Sequence, residues 1–108
     1  MNISHDTITT IDRYLRELLG VDESIWFGIN LTMGPDSSKG EVLTTFAEND
    51  WTDLLFSIAF ARDGSFSLEP SGEHLGAFLY EIGLSHDSKY LTEKMAALIT
   101  QALTDGRL

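Results

Sequence analysis

Hydrophobic side chains occupy alternate positions from Ile25 to Met33, with mostly polar or small residues between them. Successive side chains of a β-strand point to opposite faces of the sheet, so this pattern predicts a strand with one apolar face. A second alternation runs from Leu54 to Phe60 and predicts another strand at about residues 53–61. We therefore expect Leu54 to face the same core as Phe60.

The apolar spacing before this central stretch is typical of an amphipathic helix over residues 5–19. Ser4 or Asp6 can cap the start of this helix, because their side-chain oxygens can accept a hydrogen bond from a free amide of the first turn. Gly20 can adopt the left-handed conformation that ends many helices. These signals predict both ends of the first helix.

Two further helices are predicted at the C-terminal end of the chain. Ser71 can cap the first of them, whose apolar stripe runs out at Gly83. Ser85 or Asp87 can cap the second, which we expect to end at Gly106. Both segments have the three-to-four spacing of a helix that buries one side.

Two shorter strands, at about residues 41–47 and 65–69, complete a meander of four strands. Residues 34–40 have the composition of a loop, and residues 62–65 have the glycine of a tight turn. The order is therefore helix, four strands, helix, helix. We predict a single α+β domain over residues 1–108, an antiparallel sheet with its helices on one face. The other face of the sheet is expected to be open to water or to a partner.

The chain is strongly acidic, with 17 acidic and 7 basic residues and a net charge of −10. Residues 40–88 hold nine of the acids and a single base, so most of this charge lies in the sheet and the helix that follows. Binding to nucleic acid or to an anionic membrane requires clustered lysine and arginine, so neither is expected as a direct partner. The charge favours a basic protein partner, and the alternative is an acidic protein without an electrostatic partner.

Two tryptophans lie where a binding surface would use them. Trp26 falls opposite the apolar stripe of the first strand, so it is either covered by another element or offered to a partner. Trp51 lies among carboxylates in the predicted turn between the second and third strands. Tryptophan is enriched at binding hot spots, although both rings could instead cover the edge of the core. The candidate partner-binding residues are Glu48, Asp50, Trp51, Asp53, Trp26 and Glu41.

We find no catalytic or cofactor motif. The three histidines occur in no metal-binding spacing, and the absence of cysteine excludes disulfides and cysteine-based zinc sites. Ser85-His86-Asp87 contains the residue types of a catalytic triad, but a triad is assembled in space rather than from adjacent residues. Asp50 and Asp53 do not follow a calcium-loop pattern. We expect a non-enzymatic protein without a cofactor or metal.

Nothing near the start of the chain has the character of a targeting signal. Residues 1–6 contain neither the basic nor the apolar stretch of a signal peptide. No apolar run approaches the roughly 20 residues that a membrane span requires. We therefore expect a cytoplasmic protein.

In size, acidity and its cluster of tryptophan with carboxylates, the chain resembles the small acidic immunity proteins that neutralise bacterial toxin domains, including those of contact-dependent inhibition systems. The resemblance implies an inhibitor that binds a basic toxin, often a nuclease, and blocks its active site. The acidic side chains would then take the place of nucleic-acid phosphates. A phage-encoded inhibitor that mimics DNA, such as an anti-CRISPR protein, uses the same physics and is an alternative.

The first third of the chain also resembles the dimeric chaperones of type III secretion effectors. Those chaperones are small and acidic, and they open with an amphipathic helix that ends near a Leu-Gly pair, as Leu18-Leu19-Gly20-Val21 does here. They usually carry a helix between the third and fourth strands, whereas residues 62–65 predict a tight hairpin. The resemblance implies a dimer with an apolar groove for an effector segment, and we keep it as the second hypothesis.

Overall fold

A computed structural model describes residues 4–33, 38–48, 51–61 and 63–106 of the chain. The elements are, in order, α1 (His5–Leu19), β1 (Ile25–Met33), β2 (Ser38–Phe46), β3 (Trp51–Phe60), β4 (Phe66–Pro70), α2 (Gly72–Glu81), a 3-10 helix (Ser85–Asp87) and α3 (Ser88–Asp105). The strands form one antiparallel sheet in the order β1-β2-β3-β4. The predicted α+β arrangement of a helix, a four-stranded meander and two C-terminal helices is confirmed.

The start and end of α1 are those that the sequence predicts. The Ser4 side chain accepts a hydrogen bond from the Thr7 amide at 3.2 Å, which satisfies one of the free donors of the first turn. Gly20 is left-handed, with φ at 67°, and its N–H donates to the Arg16 carbonyl at 2.9 Å. The chain then turns back within five residues, so that α1 packs beside β1.

The caps of the later helices are in part as predicted. Ser71 and Asp87 occupy the N-cap positions just before α2 and α3, but neither side chain makes a capping hydrogen bond. Gly83 is left-handed just after α2, with φ at 81°. Gly106 follows α3 in a right-handed conformation, with its N–H on the Ala102 carbonyl. These two helices therefore depend on packing more than on their caps.

Two strands begin earlier than the sequence predicts. β2 starts at Ser38, so residues 38–40 belong to a strand and the prediction of a loop over them is wrong. Gly40, which suggested the loop, instead makes room for a neighbour, because a Cβ there would lie 3.2 Å from Leu31 Cδ2. β3 starts at Trp51, which pairs with Phe46, so Trp51 is not in the turn.

A bulge in β3 corrects the predicted orientation of its first half. Val42 pairs with Phe56, whereas the next residue, Leu43, pairs with Leu54. Leu55 is therefore an extra residue in β3, and both Leu55 and Phe56 are fully buried. The expectation that Leu54 faces inward with Phe56 is wrong, because Leu54 lies across from Leu43 on the opposite face.

The core lies between one face of the sheet and the three α-helices. Phe78 of α2 packs edge-on against Phe27 of β1 and Phe46 of β2, with ring centroids 6.0 and 5.8 Å apart. The buried apolar residues are Ile11, Leu15, Leu19, Ile25, Phe27, Val42, Leu55, Phe56, Ile58, Phe60, Leu75, Phe78, Leu79, Leu91, Met95, Ile99, Ala102 and Leu103. The three α-helices all contribute to this one cluster, so they pack on the same side of the sheet.

The connection between β3 and β4 is a tight turn, as predicted. The Ala61 N–H donates to the Ser65 carbonyl at 2.8 Å, and Gly64 has a φ of 90°. β4 follows directly as the neighbour of β3. The described residues of this connection, Ala61 and 63–65, contain no helix.

Candidate functional site

The side of the sheet away from the helices is open, and we call it the outer face. Its positions follow from the strand alternation and the register, and none of them is buried. The outer face consists of Trp26, Gly28, Asn30, Thr32, Lys39, Glu41, Leu43, Thr45, Thr52, Leu54, Ser57, Ala59, Ser67 and Glu69. A one-sided antiparallel sheet of this kind leaves a whole surface free for a partner.

Trp26 dominates one end of the outer face. It is 54% exposed, so no other element covers it, and the alternative of a covered ring is excluded. Trp26 pairs with Thr45, and Thr45 pairs with Thr52 on the next strand. The two threonine hydroxyls lie 3.3 Å apart and are hydrogen-bonded to each other. The residues paired in the same row as Trp26 are therefore two threonines whose hydroxyls are hydrogen-bonded to each other, and not apolar side chains that could cover the ring.

The next set of paired residues on the outer face is Gly28, Leu43 and Leu54, which is apolar and lacks a side chain at the glycine. Gly28 pairs with Leu43, and Leu43 pairs with Leu54, so both leucines lie half-buried on the outer face. A Cβ placed on Gly28 would meet nothing within 4 Å. The glycine thus leaves open space on the outer face two positions along β1 from Trp26, and an inserted side chain could fill it. The sequence did not reveal this row, because the bulge at Leu55 brings Leu54 to the outer face.

The far half of the outer face is polar. A shallow depression of about 470 Å³ lies across all four strands, and its outward side chains are Thr32, Lys39, Glu41, Ser57, Ala59, Ser67 and Glu69. Glu41, one of the candidate residues, is half-exposed here and pairs with Asn30 and Ser57. The depression holds charges of both signs, so it suits a polar contact rather than an apolar ligand.

Acidic residues from two connections meet at the Trp26 end of the sheet. The Ala47 N–H donates to the Ser24 carbonyl at 2.7 Å, which joins the turn after β2 to the segment before β1. Glu48 follows Ala47, and Asp22 and Glu23 precede Ser24, and all three acids are exposed. We call Asp22, Glu23 and Glu48 the acidic rim. Trp26 lies two positions beyond Ser24, so the rim borders the exposed ring.

Asp22 in this rim is held in its charged form. The Ser24 hydroxyl and the Ser24 amide both donate to Asp22 Oδ1, at 2.5 and 2.9 Å. These hydrogen bonds lower the pKa of Asp22, with the hydroxyl contributing most. The rim therefore carries a full negative charge here at neutral pH.

Asp53 is not on the outer face. It pairs with Thr44, which is fully buried on the helix side, and its own side chain is only 14% exposed. His74 Nδ1 of α2 lies 3.7 Å from Asp53 Oδ1. Asp53 is a candidate partner-binding residue by sequence, but its side chain is mostly buried on the helix side and is not part of the exposed outer face. The bulge at Leu55 reverses the face on which Asp53 would otherwise lie.

The remaining candidates fall where less is described. Asp50 lies outside the described residues, and of Trp51 only the backbone at the start of β3 is described. The structure thus places Trp26 on the outer face, Glu48 exposed in the turn after β2, and Glu41 on the polar half of the outer face. It separates Asp53 from them.

No other chemistry is assembled in the described parts of the chain. No group of three metal-binding side chains lies together among residues 4–33, 38–48, 51–61 and 63–106. Ser85-His86-Asp87 forms the 3-10 helix, where His86 Nε2 lies 3.4 Å from Asp87 Oδ2 on the surface. Within the described ranges, no helix has the length and apolar character needed to cross a bilayer.

Comparison with known proteins adds no relative to this description. No protein-family model matches the chain, and no curated protein or solved structure matches it either. The proposal that follows therefore depends on the geometry and charge of the outer face.

Proposed function

We propose that this chain is a non-enzymatic binding protein that uses the Trp26 end of its outer face to hold a basic protein. The observation that carries the proposal is the 54% exposure of Trp26 on a sheet face that no helix covers. An exposed tryptophan that shares a sheet face with open space at Gly28 and with two half-buried leucines is an incomplete apolar contact. A partner side chain inserted beside the ring would complete it.

The binding free energy available from covering the Trp26 ring supports this role. Covering the exposed half of a tryptophan removes roughly 100 Å² of mostly apolar surface from water, worth about 2.5 kcal/mol. Binding energy in protein interfaces is concentrated in a few such anchors, and tryptophan is prominent among them. Leu43 and Leu54 extend the apolar contact across two more strands.

The negative charge around Trp26 favours a partner with a basic surface. The acidic rim lies beside Trp26, and the whole chain carries a net charge of −10. A surface of one sign accelerates association with a surface of the opposite sign, and salt weakens this attraction. We therefore place a basic surface of the partner over the rim, with an apolar side chain seated at Gly28.

The specific role that we propose is immunity to a toxin. The protein would bind a basic, nuclease-like toxin domain in the cytoplasm and cover its active site, with Asp22, Glu23 and Glu48 in the place of phosphates. A DNA-mimicking inhibitor of another nuclease would use the same surface. The β3–β4 connection disfavours the chaperone hypothesis, because the turn closed by Ala61 and Ser65 has no room for the helix that those chaperones usually carry.

The test is affinity capture from the native lysate, performed at about 50 mM and about 500 mM salt, where screening differs strongly. We expect one basic protein to be retained at low salt and released at high salt. Its production alone should be toxic to a bacterial cell, and co-production of this chain should suppress that toxicity. An extended effector segment that stays bound at high salt would instead support the chaperone hypothesis.

A further inference from the structure

The sheet has two edges, and they differ in length. β1 forms one edge over nine residues, and β4 forms the other over five residues that end in Pro70. Proline has no N–H to offer to an added strand, and short edges pair poorly with other chains. β1 is therefore the edge on which another strand can be added.

The main-chain groups that point away from the sheet are those of the odd-numbered residues in β1. Antiparallel pairs alternate between residues that bond to each other and residues whose N–H and C=O point outward. Ser24 and Ala47 are a bonded pair, joined at 2.7 Å, so the even positions of β1 face β2. In agreement, the N–H of Phe27 points outward and donates to Asp12 Oδ1 at 2.8 Å.

The outward N–H groups are protected only in the first half of the strand. Ile25 donates to the Asp22 carbonyl at 3.2 Å, and Phe27 donates to Asp12. The next two outward donors belong to Ile29 and Leu31, and neither has a partner among the described residues. The same strand thus has a capped half and an open half.

The open half also lacks the usual protections of an edge. Natural edges carry charged side chains, prolines or bulges that prevent another strand from pairing. β1 contains no charged residue and no proline, and its register with β2 is unbroken from Ile25 to Met33. The side chains of Ile29 and Leu31 are half-buried at the rim of the core, so an added strand would cover them further.

We propose that the open half of β1 pairs with the same segment of a second copy of this chain. The two strands run antiparallel about a two-fold axis at Leu31, so that Leu31 faces Leu31 and Ile29 faces Met33. This pairing satisfies the outward groups of all three residues with about six main-chain hydrogen bonds. The sheet then continues through both copies as one sheet of eight strands.

The charge distribution favours a second copy at this edge over other orientations. Each copy carries a net charge of −10, but β1 contains no charged residue, so two copies that meet along β1 bring no like charges of that strand together. In the antiparallel arrangement, the Ile25 residues of the two copies lie about 40 Å apart at about 3.4 Å per residue, and Asp22 and Glu23 come before Ile25 at these distant ends. That distance exceeds the Debye length several-fold.

We expect the pairing to be weak and to become stronger as the salt concentration rises. One strand pair buries less surface than the roughly 1,600 Å² of a standard stable interface, so monomer and dimer should exchange. Salt screens the repulsion between two acidic copies, so it should strengthen this contact. The contact with a basic partner should weaken with salt, so the two interactions are separable in one titration.

Sedimentation velocity of the purified protein tests the pairing. We expect the sedimentation coefficient to rise with concentration from about 10 µM to about 1 mM, and to rise further at 500 mM salt than at 50 mM. A single monomer throughout this range at both salts would overturn the proposal. A dimer that salt dissociates would overturn it as well, because its contact would be between opposite charges.

Two variants at Leu31 distinguish the contribution of main-chain hydrogen bonds to the dimer from that of the side chain. Leu31→Pro removes the outward N–H without breaking a bond to β2, since proline is tolerated on edges at such positions. Leu31→Ala retains the N–H and loses the same packing, so it controls for the lost side chain. We expect Leu31→Pro to abolish the dimer and Leu31→Ala to retain it. A dimer that survives in Leu31→Pro, or one lost equally in both, overturns the pairing.

Amide exchange in the unmodified protein gives an independent readout if Leu31→Pro fails to fold. The Ile29 and Leu31 amides should exchange several-fold more slowly at high protein concentration than at low concentration, while the capped Phe27 amide should not change. Exchange at Ile29 and Leu31 that is independent of concentration would contradict the proposal.

Discussion

The Asp12 side chain of α1 accepts a hydrogen bond from the Phe27 amide of β1 at 2.8 Å. The other carboxylate oxygen of Asp12 lies 2.7 Å from Arg16 Nη2, one turn later in the same helix. One carboxylate therefore joins the helix to the sheet edge and is itself held in place by an ion pair. This contact fixes the half of β1 that carries Trp26.

Substitution of Asp12 by alanine should destabilise the fold by about 1–3 kcal/mol, because it leaves the half-buried Phe27 amide without an acceptor. The measurement is the free energy of unfolding in urea. Glu17→Ala removes the same charge from an exposed position of α1 and should change stability by less than about 0.5 kcal/mol. Equal effects of the two substitutions would mean that net charge, and not the Phe27 hydrogen bond, is responsible.

The left-handed residue at the end of α1 gives a second prediction. Gly20 has a φ of 67°, so Gly20→Ala should cost about 1 kcal/mol through backbone strain alone, since a Cβ there meets nothing within 4 Å. Gly28→Ala is the matched control, because Gly28 also has open space around its Cβ position but no positive φ. Thermal unfolding should show a lower midpoint only for Gly20→Ala. A similar loss in both variants would contradict the explanation by strain.

The pKa of Asp22, a member of the acidic rim, should change when Ser24 is substituted. Hydrogen bonds from the Ser24 hydroxyl and amide lower the pKa of Asp22, so Ser24→Ala should raise that pKa toward its ordinary value. Because the folded pKa is below the unfolded one, Asp22 contributes stability above pH about 3.9, and this is lost as the pH falls through the folded pKa. An NMR titration of the Asp22 carboxyl carbon measures the shift. An identical titration in both proteins would exclude the Ser24 hydroxyl as the main cause.

Thr44 provides a prediction of increased stability. Its hydroxyl is fully buried and has no hydrogen-bond partner among the described residues. Thr44→Val keeps the shape and removes the unsatisfied group, so we expect a gain of about 1 kcal/mol in unfolding free energy. Thr7 is buried too, but its hydroxyl lies 3.0 Å from the Ser4 hydroxyl, so Thr7→Val should be destabilising. A loss of stability in Thr44→Val would reveal a partner for that hydroxyl.

The elements of this fold could be predicted where one local signal dominates. The alternation in β1 and the Ser4 and Gly20 signals of α1 were sufficient, because they depend on neighbours in the chain. The β3 prediction was wrong in its first half, because strict alternation cannot accommodate a bulge. Three consecutive apolar residues, Leu54 to Phe56, were the available signal, since one of them must leave the alternating pattern.

The candidate site was predictable only in part for the same reason. Trp26 and its outward position followed from the alternation of β1, and its exposure is observed. Asp53 was misplaced because the bulge lies between it and the well-patterned part of β3. A charge reversal at Asp53 is consequently a poor test of binding, since it would disturb the contact with His74. Asp50 lies outside the described residues.

The most direct test of the binding surface is the affinity of the captured partner for two alanine variants. Trp26→Ala and Tyr90→Ala remove aromatic rings that are 54% and 57% exposed, on the outer face and on α3 respectively. We expect Trp26→Ala to weaken binding by at least about 2 kcal/mol, roughly thirty-fold, at unchanged thermal stability, and Tyr90→Ala to leave the affinity unchanged. Equal affinities for both variants, or a loss confined to Tyr90→Ala, would contradict the assignment of the outer face.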